Sequence, residues 1–215
     1  MRPVSPTTRP KLDARAQRTR DALLDAFAGL LHRRGYERLT IQNVLDRAGV
    51  SRAAFYEHFR NKDDLLAHSV GRLRGWLRRE AQAAAVQAPG VQLGFTLPFF
   101  RHVREAASRV HAPGVQLAVE KHMRALLCEL VRDELLAQPP ERCLQGDVLE
   151  AVVQHVAGAL SNVLLWWRDT NPALTPEQLD AIFRRMTLPG IAGLLEQPSS
   201  ATTPSGAFDE RQTAG

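Results

Sequence analysis

Side chains that can hydrogen-bond to phosphate oxygens or to base edges are concentrated between residues 40 and 62. Hydroxyl, amide, imidazole and ammonium groups can hold a nucleic-acid backbone, and an arginine can bridge the O6 and N7 acceptors of guanine. An alanine methyl group can contact the methyl group of thymine. The candidate positions are Thr40, Gln42, Ser51, Arg52, Ala53, Tyr56, His58 and Lys62. Their candidate chemistry is the binding of double-stranded DNA, in which no covalent bond is made or broken.

Two short helices and a tight turn are predicted to position these side chains. The apolar residues of the first helix recur at i, i+3, i+4 and i+7, which places them on one helical face: Ile41, Val44, Leu45 and Ala48. Thr40 precedes them as an N-cap, and Gly49 permits a sharp, left-handed turn. Ser51 is a second N-cap, opening a helix predicted over residues 52–58.

The second helix is predicted to bury one face and to expose the other. Phe55 and Phe59 are four residues apart and should point inward, which leaves Arg52 and Tyr56 outside. Two short helices that cross at a glycine-containing turn indicate a helix-turn-helix motif, whose second helix enters the major groove. A third helix is predicted to begin at Asn61, and its N-terminus together with Lys62 would bind a phosphate.

Residues 35–65 resemble the DNA-binding domain of the TetR family of bacterial transcriptional regulators. The matching motifs are Gly35-Tyr36, Thr40-Ile41, Ala48-Gly49-Val50-Ser51, Tyr56-x-His58-Phe59 and Lys62-x-x-Leu65. The sequence departs from the family pattern at Leu45, where the family usually has alanine, and at Ala54, where it often has threonine. The resemblance covers about thirty residues and has many fixed spacings, so it is a specific signal.

The resemblance implies an all-α protein with a helix-turn-helix head and a helical body that binds an effector and forms the dimer. Most such proteins are cytoplasmic repressors that a small molecule releases from a near-palindromic operator. Phosphate contacts would come from Thr40, Tyr56, His58 and Lys62. Arg52, Ala53 and Gln42 would face base edges. No cofactor is expected.

Charge is distributed unevenly along the 215 residues. Residues 1–88 contain 17 Lys and Arg against 9 Asp and Glu, whereas the remainder contains 11 against 14. A basic head on a mildly acidic body suits a protein that binds nucleic acid through one end. The alternative is that arginine is simply abundant in this chain, with 25 arginines against 3 lysines.

Beyond the motif the sequence predicts only helices. The predicted division is a disordered basic arm at 1–12, a DNA-binding domain at 13–60, a helical body at 61–196 and a disordered tail at 197–215. Asp13 is predicted to cap the first helix, and one long helix from Asn61 to about Gln87 would project from head to body.

The body is predicted to provide both a dimer interface and a ligand site. The apolar stripes of helices at 147–169 and 175–186 are wider than one monomer core needs, although both helices could be core alone. Aromatic, methionine and histidine positions on facing segments predict a site for a mainly apolar molecule: Phe99, His102, Val103, Met123, Leu127, Val152 and His155. Each of these could equally be a core residue.

Catalysis and metal binding find no support in the residue pattern. Cys128 and Cys143 have no metal-ligand spacing and are too few for a disulfide framework, so reduced thiols are expected. No apolar run of membrane-spanning length and no signal peptide is recognised, which predicts a cytoplasmic protein. The lack of an acid/base or metal constellation predicts that it is not an enzyme. Two alternatives stay open: a DNA-bound factor that acts through a protein partner, and a helical enzyme with a vestigial head.

Overall fold

The computed structural model describes residues 9–85, 90–107, 117–139 and 143–196. These ranges form eight α-helices and no β-strand, which confirms the all-α prediction. The helices are α1 (Arg9–Arg34), α2 (Ile41–Ala48), α3 (Arg52–Tyr56), α4 (Lys62–Ala85), α5 (Thr96–Ala107), α6 (Leu117–Leu136), α7 (Gly146–Thr170) and α8 (Pro176–Leu195). We call α1–α3 the head and α5–α8 the body.

The first helix begins earlier than predicted. It starts at Arg9, so residues 9–12, which were assigned to the disordered arm, are helical, and Asp13 lies inside the helix instead of capping it. Pro10 does not prevent this, because the first-turn N–H groups of a helix have no partner within it. Residues 1–8 and the predicted tail at 197–215 lie outside the described residues, and the domain boundaries remain predictions.

Buried side chains form two apolar clusters. The head cluster draws on α1, α2, α3 and the first turn of α4, and includes Leu23, Phe27, Tyr36, Phe55 and Phe59. The body cluster is built from α4 to α8. Two separate cores are consistent with a small head on a larger body.

Helix α4 belongs to both clusters. Leu65 and Leu66 are buried in the head cluster, Leu77 and Ala81 are buried in the body cluster, and Val70 between them packs against both. The helix has 24 residues, which corresponds to a length of about 36 Å. It is the rod predicted from the sequence, described as far as Ala85.

Three arginines of α4 form ion pairs with neighbouring helices. Arg72 donates to Asp25 of α1 at 2.6 Å, Arg78 donates to Asp133 of α6 at 2.6 Å, and Arg74 pairs with Glu129 of α6. All of these side chains are more than a third exposed, so each pair adds little stability. Their value is positional, since Arg72 fixes the side of α4 that faces α1 of the head, and Arg74 and Arg78 fix the side that faces α6 of the body.

The connection before α5 is held by one buried carboxylate. Glu134 accepts hydrogen bonds from the backbone N–H groups of Leu93 at 2.6 Å and Gly94 at 2.7 Å. Burial raises the pKa of Glu134 above its ordinary value, although these bonds oppose the shift. A Cβ at Gly94 would lie 2.7 Å from the Cβ of Ala84, so the close approach of this loop to α4 requires glycine.

Helices α7 and α8 are the most apolar pair. By length and composition α7 could cross a membrane, since its mean hydropathy is 1.5 over an 18-residue window. No apolar segment of that length was recognised in the sequence. Its packing against α5, α6 and α8 gives this hydropathy another origin, since seven of its residues are buried in the body. Thr175 forms a capping box with Gln178, and α8 continues past residue 186 through Pro189.

Candidate nucleic-acid interface

Helix α2 has the predicted N-cap at Thr40 and the predicted glycine turn at Gly49. Thr40 Oγ1 accepts a hydrogen bond from the Asn43 N–H at 3.2 Å, and Asn43 Oδ1 accepts one from the Thr40 N–H at 3.2 Å. At the other end Gly49 adopts a left-handed conformation with φ of 65°, and the Val50 N–H donates to the Leu45 carbonyl at 3.2 Å. The predicted glycine turn is therefore confirmed, and it aims the next helix away from α2.

Helix α3 is shorter than predicted. Ser51 Oγ accepts from the Ala54 N–H at 3.2 Å, as expected for an N-cap, but the helix ends at Tyr56 and not at His58. The N–H groups of both His58 and Phe59 donate to the Phe55 carbonyl, which tightens the last turn. Phe55 and Phe59 are buried as predicted, so the opposite side of α3 faces outward.

Six of the eight predicted DNA-contact residues are exposed on one stretch of the head. Tyr56 retains 51% of its accessible surface, an unusual value for a large aromatic side chain. The exposed residues are Thr40, Gln42, Ser51, Arg52, Ala53 and Tyr56, whereas His58 and Lys62 are half-buried. The surface of α3 together with the N-terminal part of α2 is called the recognition surface below.

A chain of side-chain hydrogen bonds orders this surface. Arg52 Nη2 donates to Gln42 Oε1 at 3.1 Å, and Gln42 Nε2 donates to Asp46 Oδ1 at 2.8 Å. The two polar ends of the Gln42 amide are thus oriented, and the guanidinium of Arg52 is drawn toward α2. Sequence reasoning missed Asp46. Its position four residues after Gln42 on a helix is the signal that could have identified it.

Lys62 is held by the backbone carbonyl and the ring of Tyr36. Its Nζ donates to the Tyr36 carbonyl at 3.1 Å and lies 4.1 Å from the centroid of the Tyr36 ring. The Tyr36 hydroxyl donates to Asp63, and burial together with this bond raises the pKa of Tyr36 above its ordinary range. The ammonium is therefore placed at the start of α4 with two of its three donors still available for an anion.

Asn61 caps α4 and does not belong to it, since the helix begins at Lys62. Its Oδ1 accepts from the Asp64 N–H at 2.8 Å. Asp64 in turn accepts from the backbone N–H of Arg60 at 2.9 Å, which, with the Arg60 guanidinium, lowers the pKa of the Asp64 carboxyl. The carboxylates of the first turn of α4 thus have partners within the head, which limits their repulsion of a phosphate.

The seven residues predicted to bind an effector do not form one site. His102 and Met123 line a cavity of about 250 Å³ between the head and the body, here called the junction cavity. Val103 packs at the edge of the body cluster, and Phe99 and Leu127 are buried within it.

Val152 and His155 line a different space. This is an open groove of about 580 Å³ between α7 and α8, shared with Val148, Met186 and Leu194. The groove is almost entirely apolar in its lining. Within the described ranges no group of three or more His, Cys, Asp or Glu side chains is placed to hold a metal ion.

Comparison with known proteins agrees with this geometry. The profile of the family described as bacterial regulatory proteins, tetR family, matches residues 23–68, which contain most of α1, all of α2 and α3, and the start of α4. The regulator AcrR of Shigella flexneri is 28% identical over 152 residues, which cover 67% of each chain. The uncharacterised regulator YxbF of Bacillus subtilis (strain 168) is 36% identical over 63 residues, 29% of this chain but only 17% of its own length.

The whole fold is also shared. The crystal structure of a TetR transcriptional regulator from Streptococcus agalactiae covers 82% of this chain and 97% of its own, with a TM-score of 0.55 at 22% identity. The capped helices, the glycine turn and the exposed second helix define a DNA-binding protein of the helix-turn-helix class. Residues 23–68 form a DNA-binding domain that matches the TetR family of bacterial transcriptional regulators, and the chain is similar to the regulator AcrR over 67% of its length.

Proposed function

We propose that this protein is a repressor that binds a near-palindromic operator as a homodimer. It is released from the operator when a small molecule binds in the helical body. The observation that carries the proposal is the shared helix α4, whose buried side chains belong to both cores. A displacement of the body end of such a helix is transmitted to the head. The alternative of a factor that acts only through a protein partner makes no use of this connection.

The recognition surface supports a division between base and phosphate contacts. Arg52 and Ala53 open α3 and are exposed, so they would face base edges with Gln42 beside them. Thr40, Tyr56, His58 and Lys62 lie around them and would bind phosphates. Ser51 would act through its cap of α3.

The face formed by α7 and α8 supports the dimer. Of the seven exposed large apolar side chains in the described ranges, five lie on these two helices: Val148, Trp166, Ile182, Met186 and Leu194. Val148 and Trp166 are 18 residues apart, which is five helical turns, so they lie on the same side of α7. Exposed apolar surface of this kind marks an interaction site, and a second copy of the same face would cover both grooves.

Release would follow from a change in the separation of the two recognition surfaces. Two half-sites one helical turn apart are about 34–36 Å from centre to centre, and binding both requires that spacing. A ligand that favours a different tilt of α4 would lower operator affinity by its differential affinity for the two arrangements. A coupling of about 1–3 kcal/mol is ordinary for such a switch.

Selection of bound DNA from a random pool with the purified protein tests the first half of the proposal. We expect a two-fold symmetric motif with half-sites in successive major grooves. An enriched motif without symmetry, or no enrichment, would contradict it. Regulation in cells that persists without any small ligand would contradict the second half and favour the protein-partner function.

A further inference from the structure

The junction cavity is walled by both parts of the molecule. Ala28, Leu31 and His32 come from α1 of the head, six further residues come from α4, and His102 and Met123 lie on α5 and α6 of the body. A molecule in this cavity would therefore contact the head directly. No other described cavity combines residues of α1 with residues of α5 and α6.

Two imidazoles and one guanidinium are among the polar groups of the wall, and Ser69 adds a hydroxyl. His32 and His102 have ring centroids 6.0 Å apart, and the ring of Trp76 lies 6.0 Å from that of His102. Arg72 also reaches the wall while paired with Asp25 at 2.6 Å. No aspartate or glutamate is among the lining residues of this described cavity. A guanidinium only donates hydrogen bonds, and each imidazole can donate at least one to an anion or a neutral acceptor. A buried ammonium would find no carboxylate among the lining side chains.

The remaining wall is apolar. Leu31, Leu73 and Met123 contribute aliphatic and thioether surface, and Trp76 adds an aromatic ring. An apolar cavity of about 150 Å³ holds one benzene molecule, so about 250 Å³ holds a compound of roughly ten non-hydrogen atoms. This matches an aromatic ring that carries a short chain.

We propose that the junction cavity binds a small aromatic compound with one anionic or hydrogen-bond-accepting group directed at His32 and His102, and that it rejects cations. Its regulatory consequence rests on the proposed function, because ligand contact with α1 and α4 would bias the position of the head. The ligand class itself does not depend on DNA release.

The proposed ligand class is tested by isothermal titration calorimetry on the full chain with three matched probes: phenylpropionate, phenylpropanamide and phenylpropylamine. They share the ring and chain length and differ in charge. We expect the carboxylate and the amide to bind at one site per chain, and the ammonium to bind at least tenfold more weakly. An ammonium that binds as tightly as the carboxylate overturns the proposal.

Variants locate the site. His102→Phe keeps a ring beside Trp76 but removes both nitrogens, so we expect phenylpropionate to bind about tenfold more weakly and its advantage over phenylpropylamine to disappear. Met123→Trp fills the cavity and should abolish binding of the carboxylate probe, with helicity by circular dichroism reporting the fold. His122→Phe is the matched control, since His122 neighbours Met123 on α6 but does not line the cavity.

Unchanged phenylpropionate binding by the folded His102→Phe protein would exclude this cavity as the site, whether or not Met123→Trp folds. The two proposals fail differently. Probe binding that leaves operator affinity unchanged would keep the site and refute release through it. Operator release by another ligand in the Met123→Trp protein would refute the site and keep the switch.

Discussion

The recognition surface and the α7–α8 face are both exposed, yet they are built in opposite ways. On the recognition surface, hydrogen bonds connect residues ten positions apart or fewer, as from Arg52 to Gln42 and from Gln42 to Asp46. On the α7–α8 face, apolar residues from Val148 to Leu194 meet across a groove without such bonds. Water can form hydrogen bonds to the polar groups of the recognition surface. The α7–α8 face is stabilised only when another surface covers it and removes its apolar area from water.

The difference shows what each surface contributes. A locally ordered polar surface can be complete in one chain, and it needs the partner only for a second half-site. The apolar face is assembled from segments about forty residues apart in the chain. It becomes an interface only when it packs against the same face of a second copy. Substitutions on the first should change which DNA is bound, and substitutions on the second should change whether the dimer exists.

The largest effect is expected from Gly158→Leu on α7. A Cβ at Gly158 meets nothing within 4 Å inside the monomer, and leucine favours helix more than glycine, so the chain should fold. The dimer should be lost, and operator affinity should fall on the order of 100-fold because the two heads no longer bind together. Sedimentation and operator titration measure the two effects.

Gly71→Leu provides the control for this substitution, since Gly71 is a helical glycine on α4 that also has open space around it. That variant should remain dimeric. A Gly158→Leu protein that sediments as a dimer would place Gly158 outside the interface and remove it from the comparison.

Arg52→Ala should change specificity without affecting assembly. Loss of a two-point contact to guanine should cost about 1–3 kcal/mol at one base pair per half-site. Selection of DNA by wild type and variant would show the preference relaxed at that position alone. Identical selected motifs would reduce Arg52 to a phosphate or solvent contact.

Asp46→Ala should have a smaller effect, and it should act through Arg52. Without the carboxylate, Gln42 is no longer held at 2.8 Å and Arg52 loses an ordered partner, which should weaken the same base preference by about 0.5–1.5 kcal/mol. The ratio of affinities for cognate and mismatched DNA is the correct measure, because removing a negative charge strengthens binding to all DNA.

Two companion proteins make the Asp46 result specific. Asp46→Asn keeps an acceptor oxygen and should restore the preference. In an Arg52→Ala background, Asp46→Ala should leave the ratio unchanged. An Asp46 effect of full size in that background would show that it does not act through Arg52.

The smallest change is expected from Lys62→Ala. One lost phosphate contact should reduce the slope of log affinity against log salt by about one unit, with a similar loss for every sequence. Operator and random DNA titrated over a series of salt concentrations would show it. An unchanged slope would mean that Lys62, placed over the Tyr36 ring, only supports the head.

The recognition surface was largely predictable from sequence because its determinants are local. The caps Thr40 and Ser51, the turn at Gly49 and the inward Phe55 depend on neighbours within a few positions, and the structure confirms each of them. The bond from Gln42 to Arg52 depends on the angle between two helices, so it was not visible in the sequence.

The proposed ligand site in the junction cavity could not be assembled from the sequence in the same way. His102 and Met123 were identified, but His32 and Leu31 of α1 were not, because nothing in a helical repeat shows that the head contributes to a body cavity. Val152 and His155 were grouped with them because they were expected on facing segments, although they line the α7–α8 groove. Periodicity identifies which residues are apolar, and the packing of distant helices decides which of them meet.

The double membership of α4 also governs how the protein unfolds. Leu65 and Leu66 of the head core lie on the same helix that supplies Leu77 and Ala81 to the body core. Head and body are therefore expected to lose structure in one cooperative transition, in spite of their separate cores. Amide hydrogen exchange along the middle of α4 should be as slow as in the centre of α7, because only global unfolding would expose it.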